Sequence, residues 1–298
     1  MKKVYILALM LLMGQSSWAQ IREFQTSRLV STAGAGVASV LSTEAAVLNP
    51  ATSTFFEGSS FSYQRYTTSL RNQSEERKNA NDDFPGQNTT QGVFMADHDG
   101  PVKGGVAYLK QDENNYQREH IITHGAAPIG ESTSMGLSYH YLQDVRPKGS
   151  SNRHQSHHQL TAGLVQIIDD KTVMGLVLVD PTRTTPNEER LIAGLQYAFA
   201  DKLTLIADVG TQYTEDVKEK YLWRGALQLQ LFDDFFFRAG KFYDNIRGTK
   251  GFGWGAGWIG PRLGVEFAQS LSDQFSDNSY VYHNETLVDT SISAIIKF

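Results

Sequence analysis

The 298-residue chain contains no cysteine. That absence removes disulfides, thiolate metal sites and cysteine nucleophiles together, and with no cysteine near the leader it excludes a lipoprotein anchor. There is no excess of basic residues: 27 Lys and Arg stand against 32 Asp and Glu. A chain of that balance is not built to neutralise a phosphate backbone, which argues against nucleic acid as a partner. Nor is there any stretch of eighteen consecutive apolar residues, so no membrane-crossing helix is expected. Prolines number only eight.

The one sustained apolar run, Val4 to Met13, follows Lys2 and Lys3 and precedes Ser17-Trp18-Ala19. A charged start, a short apolar stretch and a small-x-small site make a secretory leader. Cleavage is expected after Ala19, leaving about 279 residues that begin at Gln20. Loss of Lys2 and Lys3 takes the net charge from −5 to about −7.

From about Ser59 the hydrophobic period is two. Leu203, Leu205, Ala207 and Val209 alternate with Thr204, Ile206, Asp208 and Gly210, and Met135, Leu137, Tyr139 and Tyr141 alternate with Gly136, Ser138, His140 and Leu142. That is the pattern of half-buried strands. Fourteen such segments begin near Ser59, Thr90, Lys103, Tyr116, Ser132, Gln155, Thr172, Glu189, Lys202, Lys220, Phe235, Thr249, Arg262 and Glu285. Tight connections alternate with long polar ones, and no linker divides the chain. An antiparallel up-and-down meander is expected.

A soluble sandwich shares this period, but its inward faces would be aliphatic. Here one face carries Tyr139, Tyr141, Tyr197, Phe199, Tyr221 and Trp223 near strand ends, and the other carries Asp208, Arg224, Gln230 and Glu266. Ions of that kind are costly in a dry core and ordinary in the polar lumen of a transmembrane barrel, where aromatics mark the interfaces. The expected fold is therefore all-β: a transmembrane antiparallel up-and-down β-barrel of about 14 strands. It would sit in outer-membrane lipid, with residues 1–19 as leader, 20–58 as an N-terminal segment and 59–298 as barrel. The last strand puts Val288, Thr290, Ile292, Ala294, Ile296 and Phe298 on one face. A terminal aromatic in that register resembles the signal read by the outer-membrane barrel assembly machinery.

Residues 20–58 have no clean period and are rich in Ala, Ser and Gly. Lying before the first strand, they are expected inside the lumen as a plug. Their sequence, Gly34-Ala35-Gly36-Val37-Ala38, then Glu44-Ala45-Ala46, then Asn49-Pro50-Ala51, resembles the N-terminal signature of the FadL-type outer-membrane transporters and the related secretion component PorV. Val47-Leu48 stands where that signature has an aromatic, and Thr52 where it has glycine. The resemblance implies a fourteen-stranded barrel in a Gram-negative outer membrane. It also implies passive uptake of a small hydrophobic molecule such as a fatty acid, or alternatively a PorV-like docking role. A general porin or structural barrel is the remaining alternative. Read on its own residues, Asn49-Pro50 is a fixed turn, because proline disfavours a helical backbone before it and Asn bonds its neighbours' backbone.

The segment Gly251-Phe252-Gly253-Trp254-Gly255-Ala256-Gly257-Trp258 puts aromatics on one face and Gly251, Gly253, Gly255 and Gly257 on the other. Glycine in a strand marks a close backbone approach or a bend. Two readings follow: the N-terminal segment packs against a flat wall, or the wall kinks to open sideways. His154, His157 and His158 could chelate a metal, but no acidic partner is near and a solvated rim loop is the simpler expectation. GAGVAS lacks the preceding strand and following Lys of a phosphate loop. No GxSxG or comparable motif places a nucleophile. No enzyme activity and no cofactor are expected.

Overall fold

The computed structural model describes residues 24–40, 45–56, 58–72, 88–113, 116–145, 154–185, 188–274 and 286–298. The expected leader 1–19, together with Gln20 and Glu44, lies outside the described residues.

Fourteen antiparallel strands close into one barrel. They are β1 (Ser60–Asn72), β2 (Asn88–Asp97), β3 (Lys103–Glu113), β4 (Tyr116–Pro128), β5 (Thr133–Val145), β6 (His154–Ile167) and β7 (Thr172–Val179). The second half comprises β8 (Arg190–Ala200), β9 (Leu203–Thr211), β10 (Tyr221–Gln230), β11 (Phe235–Asp244), β12 (Thr249–Ile259), β13 (Leu263–Gln274) and β14 (Thr286–Lys297). Every start falls within two residues of its sequence expectation. Each strand pairs with its sequence neighbours, and β1 closes on β14 with Phe61 opposite Ile296 and Tyr63 opposite Ala294. Among the described residues, register breaks occur at two places, Leu70/Asn72 on β1 and Ala198/Ala200 on β8.

The polarity of the wall is inverted relative to a soluble protein. Phe61, Tyr63, Leu137, Tyr139, Leu176, Leu205, Val209, Trp223, Phe252 and Ile292 are exposed on the outside. Their strand neighbours Ser62, Gln64, Ser138, Asp208, Arg224, Glu266, Asp289, Ser291 and Ser293 are buried inside. An apolar exterior and polar interior, alternating residue by residue, suit a barrel whose outer solvent is lipid. The histidines of β6 diverge rather than gather in a loop: His158 lies opposite Tyr141 and His157 opposite the buried Leu142. The expected rim-loop position is corrected by this strand placement, since the β5–β6 ladder runs to His154. Among the described residues no three His, Asp or Glu side chains form a metal-binding group.

Inside, several charged groups take polar partners from the wall itself. Arg238 donates to Glu266 at 2.8 Å and to Gln228 at 2.8 Å. Asp289 accepts from Thr68 at 2.8 Å and from Ser270 at 3.1 Å. Across β4 and β5, Arg118 donates two bonds to Asp144 at 2.7 and 2.8 Å, the bidentate geometry that strengthens such pairs. Leu176→Arg on the outer face of β7 should destabilise the barrel by about 2–4 kcal/mol in bilayers, as charge placed in lipid does. Denaturant titration in vesicles measures this, and unchanged stability would mean that β7 does not turn this face to lipid.

Candidate functional site

Among the described residues before β1 are two short helical pieces that lie against the inner wall. A single turn, α1 (Ser27–Ser31), starts at Thr26, whose hydroxyl accepts from the Leu29 N–H at 3.2 Å. A 3₁₀ helix, Pro50–Phe55, starts at Asn49, whose side-chain oxygen accepts from the Ala51 N–H at 3.1 Å. Proline at the first position costs nothing there, because its missing N–H would have had no partner. The expected turn at Asn49-Pro50 is thus a helix cap.

Traced from Phe24, the segment makes a circuit of the barrel. The Phe24 ring packs 5.9 Å from Phe94 and joins Leu109 and Ile122 in one apolar cluster on β2 to β4. The Ser27 N–H donates to Gln64 on β1 at 3.2 Å, and its hydroxyl meets that of Ser291 on β14 at 2.7 Å. Helix α1 lies on β11 to β14. The chain then passes β10, where Arg224 donates to the Gly34 carbonyl at 3.0 Å. On β9, Asp208 accepts from the Gly36 N–H at 2.8 Å and the Val37 N–H at 3.2 Å. Ser39 donates to Gln196 on β8 at 3.0 Å. The 3₁₀ helix rests on β3 to β6, and Lys103 on β3 donates to the Thr54 carbonyl at 2.9 Å.

Asp208 and Arg224 are cross-strand partners. Side by side they offer one acceptor and one donor to a turn whose own backbone groups have no ladder to join. An unpaired buried amide or carbonyl is expensive, so this pair is what lets a polar backbone turn reside inside. The turn needs glycine as well. Gly34 has φ +83°, and Gly36 has φ +156° with a would-be Cβ 3.2 Å from Leu48.

The candidate residues fall at two ends of this one segment. Asn49 donates to the Val37 carbonyl at 2.7 Å, tying the 3₁₀ helix to the earlier turn, and to the Leu164 carbonyl of β6 at 3.3 Å. Asn49, Pro50 and Ala51 sit over two glycines that face each other across β5 and β6. A Cβ on Gly136 would stand 2.5 Å from the Ala51 nitrogen, and one on Gly163 would collide with the Asn49 oxygen. On the far wall, a Cβ on Gly253 would collide with the Val30 carbonyl, and one on Gly255 would stand 2.7 Å from Ser31. Gly251 and Gly257 instead meet their barrel neighbours, the Leu271 carbonyl and the Glu266 side chain. Phe252, Trp254, Ala256 and Trp258 face outward. Both ladders of β12 run without a register break from Thr249 to Trp258 or Ile259, and within the glycine row Gly253 and Gly255 are the two that the segment approaches. Phe298 is far from both, exposed at the closing edge with its N–H on the Ser59 carbonyl at 3.0 Å.

Several contacts escaped the sequence. Asp208 and Arg224 read only as lumen polar residues. Gly175, Gly194 and Gly240 each admit the segment's backbone as closely, against Val37, Val37–Ala38 and Thr32 respectively. The available signal was pairwise: Gly175 faces Gly194, and Gly240 faces Gly253, a coincidence visible only once register is known. Gly253→Val should dislodge α1 while the barrel still closes. With Ala35→Cys as the chain's single thiol, maleimide labelling should rise at least several-fold over the glycine parent; unchanged protection would mean the close approach is not what seats the segment. Asn49→Ala leaves the Val37 carbonyl and Ala51 N–H without that partner and should cost about 1–3 kcal/mol, read from denaturant titration.

No protein-family model matches the sequence, and no curated protein is similar to it. Solved structures are. The Ralstonia pickettii toluene transporter TbuX aligns at TM-score 0.68 and 12% identity, over 93% of this chain and 99% of that one. The CymD monoaromatic hydrocarbon channel aligns at 0.67 and 14%, over 92% and 97%. A Pseudomonas aeruginosa FadL homologue aligns at 0.60 and 12%, over 92% and 98%. At such identities the likeness is one of fold, and it extends over nearly the whole chain: this protein has the FadL-type outer-membrane barrel fold.

Proposed function

We propose that the protein is a passive outer-membrane channel for small hydrophobic molecules, closed by its own N-terminal segment. The observation that supports the reading is the buried segment itself: its described residues bond to β1, β3, β6, β8, β9, β10 and β14 from the inner side, and the strand ladders remain closed around it. The fold relatives support the reading, being hydrocarbon channels and toluene transporters by name; they are channels and not enzymes.

The interior suggests how an apolar molecule would act. Most of the inner wall is polar, but Phe94, Leu109 and Ile122 form an apolar strip that Phe24 covers. A hydrophobic ligand gains free energy by replacing Phe24 on that strip and nothing by resting on the polar wall. Loss of Phe24 frees the leading end of the segment, while Asn49 to Ala51 remain seated on Gly136 and Gly163 as the anchored end. Movement of α1 would bare the glycine face of β12. Gly253 and Gly255 then line a smooth stretch between Gly251 and Gly257, which abut their barrel neighbours. An exit through the wall at β12 would also require its unbroken ladders to part; a path along the glycine face would not. Phe298 serves assembly, through the machinery that reads the last strand.

Proteoliposomes or whole cells carrying the protein should accumulate radiolabelled toluene and a labelled fatty acid faster than matched controls without it. Gly253→Val, which displaces the segment, should change that rate while Phe298→Ser lowers the amount of assembled barrel. Equal accumulation with and without the protein, for both probes, would sink the uptake reading.

A further inference from the structure

The inner wall of β4 and β5 holds a chain of hydrogen-bonding side chains of its own. Ser138 Oγ lies 2.8 Å from His140 Nε2, and His140 Nδ1 lies 2.9 Å from His120 Nε2. The two rings stand 5.0 Å apart at 34°. Ser138 and His140 are buried, and His120 is half-buried. The chain ends at His120 Nδ1, which bonds none of the described residues.

The surroundings of that nitrogen are apolar. His120 lies opposite Leu109 on β3 and opposite Leu142 on β5, and Ile122 follows it on the same face of β4. All three are buried. Leu109 and Ile122 belong to the strip that Phe24 covers, so His120 stands at the edge of that strip. The edge is the one nearer the long connection between Val145 and His154, and long connections mark the extracellular end of such barrels. Two residues further toward that end, Arg118 is held by both oxygens of Asp144, a pair with no net charge.

We propose that His120 is the polar end of a ligand subsite for neutral hydrophobic molecules that carry one hydroxyl. On the uptake reading, which this extends and rests on, the ligand replaces Phe24 on the strip; the subsite gives that ligand a head group. Proton order decides what Nδ1 offers. With Ser138 donating to His140, His140 donates to His120 and Nδ1 presents an N–H. In the reverse order His120 donates to His140, His140 donates to Ser138, and Nδ1 presents a lone pair. Neutral imidazole permits both. A hydroxyl donates or accepts, so it meets either order. A hydrocarbon meets neither, and it leaves Nδ1 without the water it displaces. A site that bonds a ligand's oxygen discriminates against the analogue lacking it. Leu109 and Leu142 each lie one strand, about 4.8 Å, from His120, so a single ring bonded at Nδ1 covers the strip. A carboxylate suits the place less well. It only accepts, and it would bring charge to an apolar strip where the neighbouring guanidinium already serves Asp144.

Toluene and p-cresol share one body and differ by one hydroxyl, and p-toluate carries a carboxylate instead. Equilibrium dialysis of each labelled compound against the full-length protein in detergent, with protein-free micelles subtracted, reads binding separately from transport. p-Cresol should bind about five-fold more tightly than toluene or better, as one hydrogen bond made in place of one left unmade provides. His120→Leu, which continues the row of Leu109 and Leu142, should bring p-cresol down to the level of toluene and leave toluene unchanged or tighter. His120→Gln, which keeps a donor and an acceptor, should retain the preference. Heat-modifiable migration verifies folding of each variant. Equal binding of toluene and p-cresol, or binding of neither, would overturn the proposal while leaving uptake to its own assay. So would an unchanged preference in His120→Leu, or tighter binding of p-toluate than of p-cresol. A preference that depends on His120, with no uptake of either compound by proteoliposomes, would support the subsite and sink the uptake reading instead.

Discussion

Everything inside this barrel depends on finding partners for a backbone that has left regular structure. A strand in the wall is satisfied by its neighbours on both sides. The turn at Gly34 to Val37 has no such neighbours, and its N–H and C=O groups are sealed from water. Asp208 and Arg224 supply what is missing: one carboxylate takes two N–H groups, and one guanidinium gives to a carbonyl. Asn49 performs the same office at the other end, capping the 3₁₀ helix with its oxygen while its nitrogen reaches two carbonyls. Remove either arrangement and the segment holds buried polar groups with nothing to bond.

Distance is the second requirement. Backbone can bond to a wall only if wall side chains stand aside, and seven inward glycines do so. They fall in two groups, β5 to β8 and β11 to β12, beneath the two stretches where the segment runs closest. The polar pair on β9 and β10 fills the gap between them. The wall thus alternates between places that admit the backbone and places that grip it.

The barrel was legible because its signal is local. Alternation is set by the two-residue repeat of a strand and needs no knowledge of what lies opposite, so strand starts such as Lys103, Tyr116, Thr172, Phe235 and Thr249 could be read directly. Four glycines in one strand were visible for the same reason. Gly136, Gly163, Gly175 and Gly194 were not, because a single glycine per strand means little until register sets it beside another. The segment itself was illegible beyond its burial and its Asn-Pro cap, since α1 is a single turn held by side chains hundreds of residues away. His154, His157 and His158 suggest a rim loop because the run before them is polar; the β5–β6 ladder instead carries the strand to His154, and its pleat sends His157 and His158 to opposite faces.

The bond between Ser27 and Ser291 spans 264 residues, and that separation has a kinetic consequence. Hairpins of the meander can form from neighbours as the chain becomes available, but the seat of α1 is built from β11 to β14 and from β1 across the seam. Long-range contacts of this kind form late, because the chain entropy of bringing them together is spent before they contribute. The residues of α1, though early in the sequence, are therefore among the last to find their places. A barrel with its N-terminal segment docked has already joined its first strand to its last, and the Ser27–Ser291 contact is itself a record that the barrel has closed.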